Sequence, residues 1–138
     1  MILVLDTNQL IFAFGPDKDH PSKALLRALI STDHVFIRIP QTVVEEARDN
    51  LHPSLFSACM KFIHEFGTVD EDTFIPFEYG KKYEAMHLKA EDSLIAAYTD
   101  WIGAEALISE NRHFLSRQSN LPFKVMTASQ CLKTLFKV

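Results

Sequence analysis

Residues 2–6 of the chain read Ile-Leu-Val-Leu-Asp, a continuous apolar run that ends at an acidic residue. Such a run is typical of a strand that is buried on both faces of a parallel sheet, because a half-exposed strand alternates apolar and polar residues. Open parallel sheets bind ligands at the carboxyl ends of their strands, which is where Asp6 stands. Asp is also a favoured helix N-cap, and this structural role is the alternative interpretation of Asp6.

The rest of the chain alternates strands with helices. Apolar runs predict three further strands, at residues 35–39, 106–109 and 123–126, and a short extended piece around Val69 in an otherwise exposed connection. Helical spacing of apolar residues, with Pro and Gly at the boundaries, predicts helices at residues 21–30, 42–51, 54–66, 77–88, 91–102 and 128–136. This order indicates an α/β fold, a three-layer α/β/α arrangement with a central, mainly parallel sheet of four to five strands. Residues 1–138 form a single domain of ordinary size.

Three local features carry more specific predictions. Thr42 and Glu45 have the spacing of a capping box at the start of the second-strand helix. Gly80 is expected to interrupt the helix at 77–88. Arg38 lies inside an apolar strand, so it either pairs with a buried acid or marks an edge of the sheet.

Composition narrows the class of protein. The chain is 47% hydrophobic and 23% charged, as in soluble globular domains, and no apolar run approaches the roughly 20 residues of a membrane span. The first residues are interpreted as a core strand, not a signal peptide. Cys59 and Cys131 form no CxxC pair, so we expect two buried thiols in a reducing compartment, the cytoplasm. The net charge of −4 argues against a generic nucleic-acid coat, but not against a nuclease that concentrates acids around a cation.

Acidic and amide side chains arrive at four places that this topology is able to bring together. They are Asp6 after the first strand, Glu45 and Glu46 on the helix after the second, Glu91 and Asp92 at a later helix start, and Glu110 and Asn111 after the third strand. Hard divalent cations such as Mg²⁺ prefer such oxygen ligands. Taken singly, Asp92 is also explained as a first-turn acid, Glu45 and Glu46 as surface residues, and Asn111 as a turn residue.

Four segments together resemble the PIN domain, the nuclease fold of the VapC-type toxins. They are Val4-Leu5-Asp6-Thr7-Asn8, the stretch from Val43-Val44-Glu45-Glu46-Ala47 to Leu51, Glu91-Asp92-Ser93-Leu94-Ile95-Ala96-Ala97, and Leu107-Ile108-Ser109-Glu110-Asn111-Arg112-His113-Phe114. They occur in the family's order across residues 4–114.

The resemblance implies a Mg²⁺- or Mn²⁺-dependent endoribonuclease that acts on RNA and leaves 5′-phosphate and 3′-hydroxyl ends. It also implies a homodimer, and a toxin that is paired with an antitoxin protein. By position, Asp6, Glu46 and Asp92 hold the metal, and Asn111 completes the catalytic set. The remaining residues that it implies are Thr7 and Ser109 as supporting hydroxyls, Asn8 as the residue that positions the first loop, Glu45 and Glu110 as substitute acids, and Arg112 and His113 as contacts to the RNA backbone.

The chain departs from the family pattern at Asn111, where many members have Asp. Asn offers a carbonyl oxygen but no charge. This departure, with the acidic net charge, motivates a competing hypothesis: a noncatalytic PIN-like RNA-binding or scaffold domain with a weakened metal site. A phosphatase that uses Asp6 as nucleophile fits less well, because that chemistry requires a second Asp two residues later as the acid/base, where the chain has Asn8.

Overall fold

A five-stranded sheet in which every strand pair is parallel organises the chain, in the order β3-β2-β1-β4-β5. The computed structural model describes residues 1–137. The strands are β1 (Ile2–Leu5), β2 (Phe36–Pro40), β3 (Gly67–Asp70), β4 (Ala106–Ile108) and β5 (Lys124–Met126). The helices are α1 (Thr7–Phe14), α2 (Pro21–Ile30), α3 (Gln41–Asn50), α4 (Pro53–Phe66), α5 (Phe77–Glu84), α6 (Ala90–Trp101), α7 (Arg112–Leu115) and α8 (Ala128–Leu135), with 3-10 turns at Asp72–Phe74 and Gln118–Asn120.

The helices form two packed groups. Helix α1 packs against α2, α3 and α4, and α2 packs against α8, whereas α5 packs against α6. The chain reverses its direction of travel across the sheet after β3. Because crossovers between parallel strands are almost always right-handed, this reversal assigns the α5–α6 pair to the other face of the sheet. The predicted three-layer α/β/α fold with a parallel sheet is therefore confirmed.

The central strand β1 is deeply buried, as its uninterrupted apolar sequence predicts. Leu3 and Val4 are fully buried, and Leu5 is 3% exposed. The predicted burial of Cys59 and Cys131 is also confirmed, and burial raises the pKa of each thiol to about 12. None of the helices within residues 1–137 combines the length and apolar character needed to cross a membrane.

The odd arginine of β2 has an acidic partner on the neighbouring strand. Strand β2 lies between β1 and β3, so Arg38 does not mark an edge. Its guanidinium donates from Nε (3.0 Å) and Nη2 (2.7 Å) to Asp70 Oδ2 on β3. The hydroxyl of Tyr98 on α6 donates to the same oxygen. This network joins β2 and β3 to the helix that carries Asp92.

Two local predictions were wrong. Helix α3 starts after Pro40, without a side-chain cap, and the Thr42 hydroxyl bonds to Asp72 instead of forming a capping box with Glu45. The capping box in this chain is at the start of α8, between Thr127 and Gln130. Helix α5 also continues through Gly80, because one glycine costs a helix only about 1 kcal/mol.

Candidate active site

The acidic residues converge at the point in the sheet where the chain changes direction. Strand β1 leads to α1 on one side and the adjacent β4 leads to α7 on the other, which leaves a crevice at their carboxyl ends. Asp6 follows β1 and Ser109 follows β4. The Asp6 backbone N–H donates to Ile108 O (3.0 Å), and the Ser109 hydroxyl donates to Asp6 Oδ2 (2.6 Å).

Asp6 is a helix N-cap, and it also lies at the crevice at the end of β1. Its Oδ1 accepts from the backbone N of Thr7 (2.8 Å), so it is the N-cap of α1. Its side chain lies at the crevice and the residue is 5% exposed. Burial raises the pKa of Asp6; the hydrogen bonds from Ser109 and Thr7 lower it, and the charge of Asp92 raises it further. The cap explains the helix start, but within residues 1–137 no cationic side chain forms an ion pair with Asp6.

Glu46 is brought to Asp6 by the packing of α3 against α1. The Thr7 hydroxyl donates to Glu46 Oε2 (2.9 Å), while Glu46 Oε1 is buried and has no hydrogen-bond partner within residues 1–137. Burial raises the pKa of Glu46; the Thr7 bond opposes this, and the charges of Glu91, Asp6 and Asp92 add to it. The neighbouring Glu45 is exposed. The structure therefore brings Glu46 to the crevice and leaves Glu45 outside it.

Asp92, in the first turn of α6, is held by Asn111. Asn111 Nδ2 donates to Asp92 Oδ1 (3.2 Å), and Asn111 Oδ1 accepts from the backbone N of His113 (2.9 Å), which caps α7. Burial raises the pKa of Asp92, the Asn111 bond and the charges of His113 and Lys89 lower it, and Glu91 raises it. Both polar ends of the Asn111 amide are thus engaged by protein atoms.

The two remaining polar residues of the motifs connect loops. The backbone N of Glu110 donates to Asn8 Oδ1 (3.2 Å), which ties the start of α1 to the loop after β4. The Glu110 side chain accepts from Ala128 N (3.4 Å) at the start of α8. Glu110 therefore turns toward α8, and its carboxylate is not placed beside Asp6, Glu46 or Asp92.

The sequence analysis missed one charged residue near the site. Lys89, the N-cap of α6, lowers the pKa of Asp92. It lies two positions before the third motif, so proximity in sequence was the available signal. Glu91, which the sequence places beside Asp92, is exposed, yet its charge raises the pKa of both Glu46 and Asp92. Arg112 and His113 are exposed on α7 beside Asn111.

The donor set fits a hard divalent cation, although the side chains do not form a closed cage. No group of three or more His, Cys, Asp or Glu side chains in the described part of the chain meets the geometry of a metal cluster. Asp6, Glu46 and Asp92 nevertheless offer carboxylate oxygens. The charge of Asp92 raises the pKa of Asp6 and of Glu46, the charge of Asp6 raises the pKa of Glu46, and Glu46 Oε1 has no hydrogen-bond partner within residues 1–137. A Mg²⁺ or Mn²⁺ ion would relieve this repulsion and pair that oxygen.

Comparison with known proteins identifies the fold. No model of a protein family and no curated protein sequence matches the chain. Among solved structures, the chain is similar to a chain of VapBC2 from Rickettsia felis, a complex bound to a DNA fragment from its promoter. The two are 20% identical, with a TM-score of 0.63, and the match covers 92% of this chain and 98% of that chain. With the all-parallel order of its five strands, the chain has the PIN-like fold that its four motifs predicted.

Proposed function

We propose that this protein is a metal-dependent endoribonuclease that hydrolyses phosphodiester bonds of RNA. The observation that carries the proposal is the convergence of Asp6, Glu46 and Asp92, from three separate elements, at the direction change of the sheet. Carboxylates held close together away from water repel one another and destabilise the fold unless a bound cation neutralises their charge. The PIN-like fold, similar to a chain of VapBC2, adds support.

In this proposal Asp6, Glu46 and Asp92 hold Mg²⁺ or Mn²⁺. When bound, the ion supplies positive charge to a phosphoryl group that gains negative charge in the transition state. Ser109 orients Asp6 through its hydroxyl, and Thr7 orients Glu46 in the same way. These bonds reduce the reorganisation that the carboxylates need when the ion arrives.

The RNA backbone is proposed to approach over α7 and the start of α6. Arg112, His113 and Lys89 are exposed there, and each offers donors to a phosphate. The charges of His113 and Lys89 act on Asp92. Because the net charge of the chain is −4, this local group and the bound ion supply the attraction for a polyanion.

The test is cleavage of a mixed RNA substrate by purified protein in Mn²⁺ or Mg²⁺. Wild type is expected to cut, and Asp92→Asn is expected to lose at least about two orders of magnitude of rate, since metal ligands and their supports have effects of 10- to 100-fold or more. Circular dichroism checks that the variant is folded. Wild-type protein that does not cut with either metal would contradict the proposal.

Two adjacent glutamates offer a matched pair of variants. Glu46→Gln removes a charge whose Oε1 is buried at the crevice, whereas Glu45→Gln removes an exposed charge one residue away. We expect Glu46→Gln to lose cleavage and Glu45→Gln to keep it. Equal losses in both variants would assign the effect to the net charge of α3.

The second candidate function is a noncatalytic RNA-binding or scaffold domain. The neutral Asn111 and the absence of a metal cluster within residues 1–137 favour it. The two functions predict different effects of metal on stability, because a ligand that binds only the folded state raises the stability of that state. A scaffold would show no rise of Tm with Mn²⁺ and no cleavage.

A toxin paired with an antitoxin, acting in the cytoplasm, is the finer form of the proposal. Its support is the similarity to a chain of VapBC2 and the two buried, unoxidised cysteines. If the chain is such a toxin, its expression without a partner in a bacterial host should arrest growth, and Asp92→Asn should not. If both the wild type and Asp92→Asn arrest growth, the toxicity does not depend on the carboxylate of Asp92.

A homodimer is proposed through the face of α5. Phe74 and Phe77 are 62% and 74% exposed, beside a groove of about 260 Å³ that runs between α5 and α6. Lys81 and Glu84 line the same groove with opposite charges. Two copies related by a two-fold axis would therefore place an aromatic side chain in each groove and pair unlike charges.

A further inference from the structure

Asn111 is bonded toward both aspartates of the candidate site. Its side-chain Nδ2 donates to Asp92 Oδ1 (3.2 Å). Its backbone N donates to Ser109 Oγ (2.9 Å), and that hydroxyl donates to Asp6 Oδ2 (2.6 Å). One residue thus holds Asp92 directly and Asp6 through one intermediate hydroxyl.

The orientation of the Asn111 amide follows from its neighbours. A backbone N–H can only donate, so the atom of Asn111 that faces the N–H of His113 must be the carbonyl oxygen. The NH₂ group then faces Asp92, where it meets a carboxylate acceptor. The carbonyl oxygen accepts the capping bond of α7, and the group that Asn111 turns toward Asp92 is its NH₂, which donates hydrogen bonds and does not bind a cation.

An aspartate at this position would behave differently. A carboxylate accepts hydrogen bonds and cannot donate one, so an acid at position 111 would face Asp92 with a like charge instead of a bond. A fourth acid would also add negative charge, which is what a second divalent ion needs in order to bind nearby.

We propose that Asn111 is a positioning residue that holds Asp92 by one oxygen and limits the centre to a single divalent cation. The inference rests on the proposed function, since it assumes that the carboxylates bind a metal. Within residues 1–137, the carboxylate oxygens of the site that accept no hydrogen bond are Asp92 Oδ2 and Glu46 Oε1, whereas both oxygens of Asp6 accept one. Two-ion sites place their ions about 3.5–4 Å apart and need several oxygens to bridge them.

The experiment is a Mn²⁺ titration of the full chain, with free Mn²⁺ counted by electron paramagnetic resonance and no RNA present. Wild type is expected to saturate at one Mn²⁺ per chain. Asn111→Ala is expected to weaken the affinity about tenfold, the typical effect of losing a group that orients a ligand. Asn111→Asp, which supplies a fourth carboxylate and no donor, is expected to bind a second Mn²⁺.

A double-mutant cycle separates positioning from direct ligation. If Asn111 acts through Asp92, then Asn111→Ala should change the Mn²⁺ affinity by less than about twofold in an Asp92→Asn background. In a Glu46→Gln background, where Asp92 remains, the same substitution should keep its tenfold effect. An independent ligand would give the same loss in both backgrounds.

Two controls deal with the loss of the α7 cap. Asn111→Ser keeps a side-chain oxygen that can accept from the N–H of His113 but has no amide donor for Asp92, so it should weaken Mn²⁺ binding as Asn111→Ala does. His52→Ala removes a comparable cap, where Ser54 N donates to His52 Nδ1 (3.2 Å) at the start of α4, and should leave the affinity unchanged.

Three results would overturn the inference while leaving the proposed function in place: two Mn²⁺ ions in wild type, unchanged stoichiometry in Asn111→Asp, or a tenfold loss from Asn111→Ala in the Asp92→Asn background. Wild type that binds no Mn²⁺ would overturn the proposed function and this inference together.

Discussion

Replacing Asp6 by Asn is expected to stabilise the metal-free protein. Asp6 is 5% exposed, and burial raises the pKa of its carboxyl, with the nearby charge of Asp92 adding to the effect. An amide has the same shape, and its carbonyl oxygen can still accept from the backbone N of Thr7. Relieving a functional destabilisation of this kind commonly yields about 0.5–2 kcal/mol. We therefore expect the free energy of unfolding of Asp6→Asn to rise by about that amount at pH 7.

The stabilisation should depend on pH in a direction opposite to that of a salt-bridged acid. The pKa of Asp6 is raised in the folded state above its unfolded value of 3.8. Between these two values the folded state binds more protons, so the stability of the wild type falls as the pH rises through the folded pKa. The advantage of Asp6→Asn should therefore shrink as the pH is lowered, and vanish below 3.8.

The assay is urea unfolding of wild type and variant at several pH values in the presence of a metal chelator. The slope m, the dependence of the free energy of unfolding on urea concentration, should be the same for both proteins. Asp33→Asn, which removes an exposed acid, is the control and should change stability by less than about 0.5 kcal/mol. Adding Mn²⁺ should stabilise wild type by about 2.7 kcal/mol at a concentration of 100 Kd, and Asp6→Asn much less. A variant that is less stable than wild type at pH 7, with a difference that does not vary with pH, would refute the reasoning.

Three further predictions concern the fold and its surfaces. Tyr98→Phe keeps a fully buried ring but removes a hydrogen bond to Asp70, so the free energy of unfolding, measured with heat or urea, should fall by about 1–2 kcal/mol. An unchanged free energy of unfolding would mean that Arg38 alone satisfies the carboxylate of Asp70. Gly80→Ala should stabilise α5 by about 0.5–1 kcal/mol, because an added Cβ meets no atom within 4 Å; a loss of stability by the same measurement would contradict this. Phe77→Ser should convert a dimer to a monomer in sedimentation equilibrium, and an unchanged mass would remove the α5 face from the proposed interface.

The sheet was predictable because its middle strand β1 is apolar along its whole length. Residues 3–5 are buried, and the mainly apolar runs at 35–39 and 106–109 lie on either side of β1, as a parallel α/β order requires. The edge strand β3 (Gly67–Asp70) was less visible in the sequence, because it is only half-buried and carries an acid, Asp70. It is held by pairing with β2 and by the contact of Asp70 with Arg38, two interactions that a local pattern does not contain.

The candidate site was predictable as a set of segments, and less so as a set of contacts. The positions of Asp6 and Asp92 followed from a strand end and a helix start, which are local signals. Glu46 and Glu45 are nearly equivalent by helical spacing, and only the packing of α3 against α1 separates the half-buried Glu46 from the exposed Glu45. Thr42 illustrates the same limit, since its hydroxyl bonds to Asp72, thirty residues away in sequence, and not to the expected local partner Glu45.

The sequence by itself determined the class of fold, the order of its strands and of its helices apart from α1 and α7, and the residue types that reach one end of the sheet. Those features depend on hydrophobic periodicity and chain breakers, which act over a few residues. Only the tertiary structure decided that the Asn111 amide faces Asp92, that Glu110 turns to Ala128, and that no donor in the described part of the chain reaches Glu46 Oε1. The physical reason is that a side chain bonds to whatever partner the packing brings within about 3 Å, and those partners come from elements far apart in the chain.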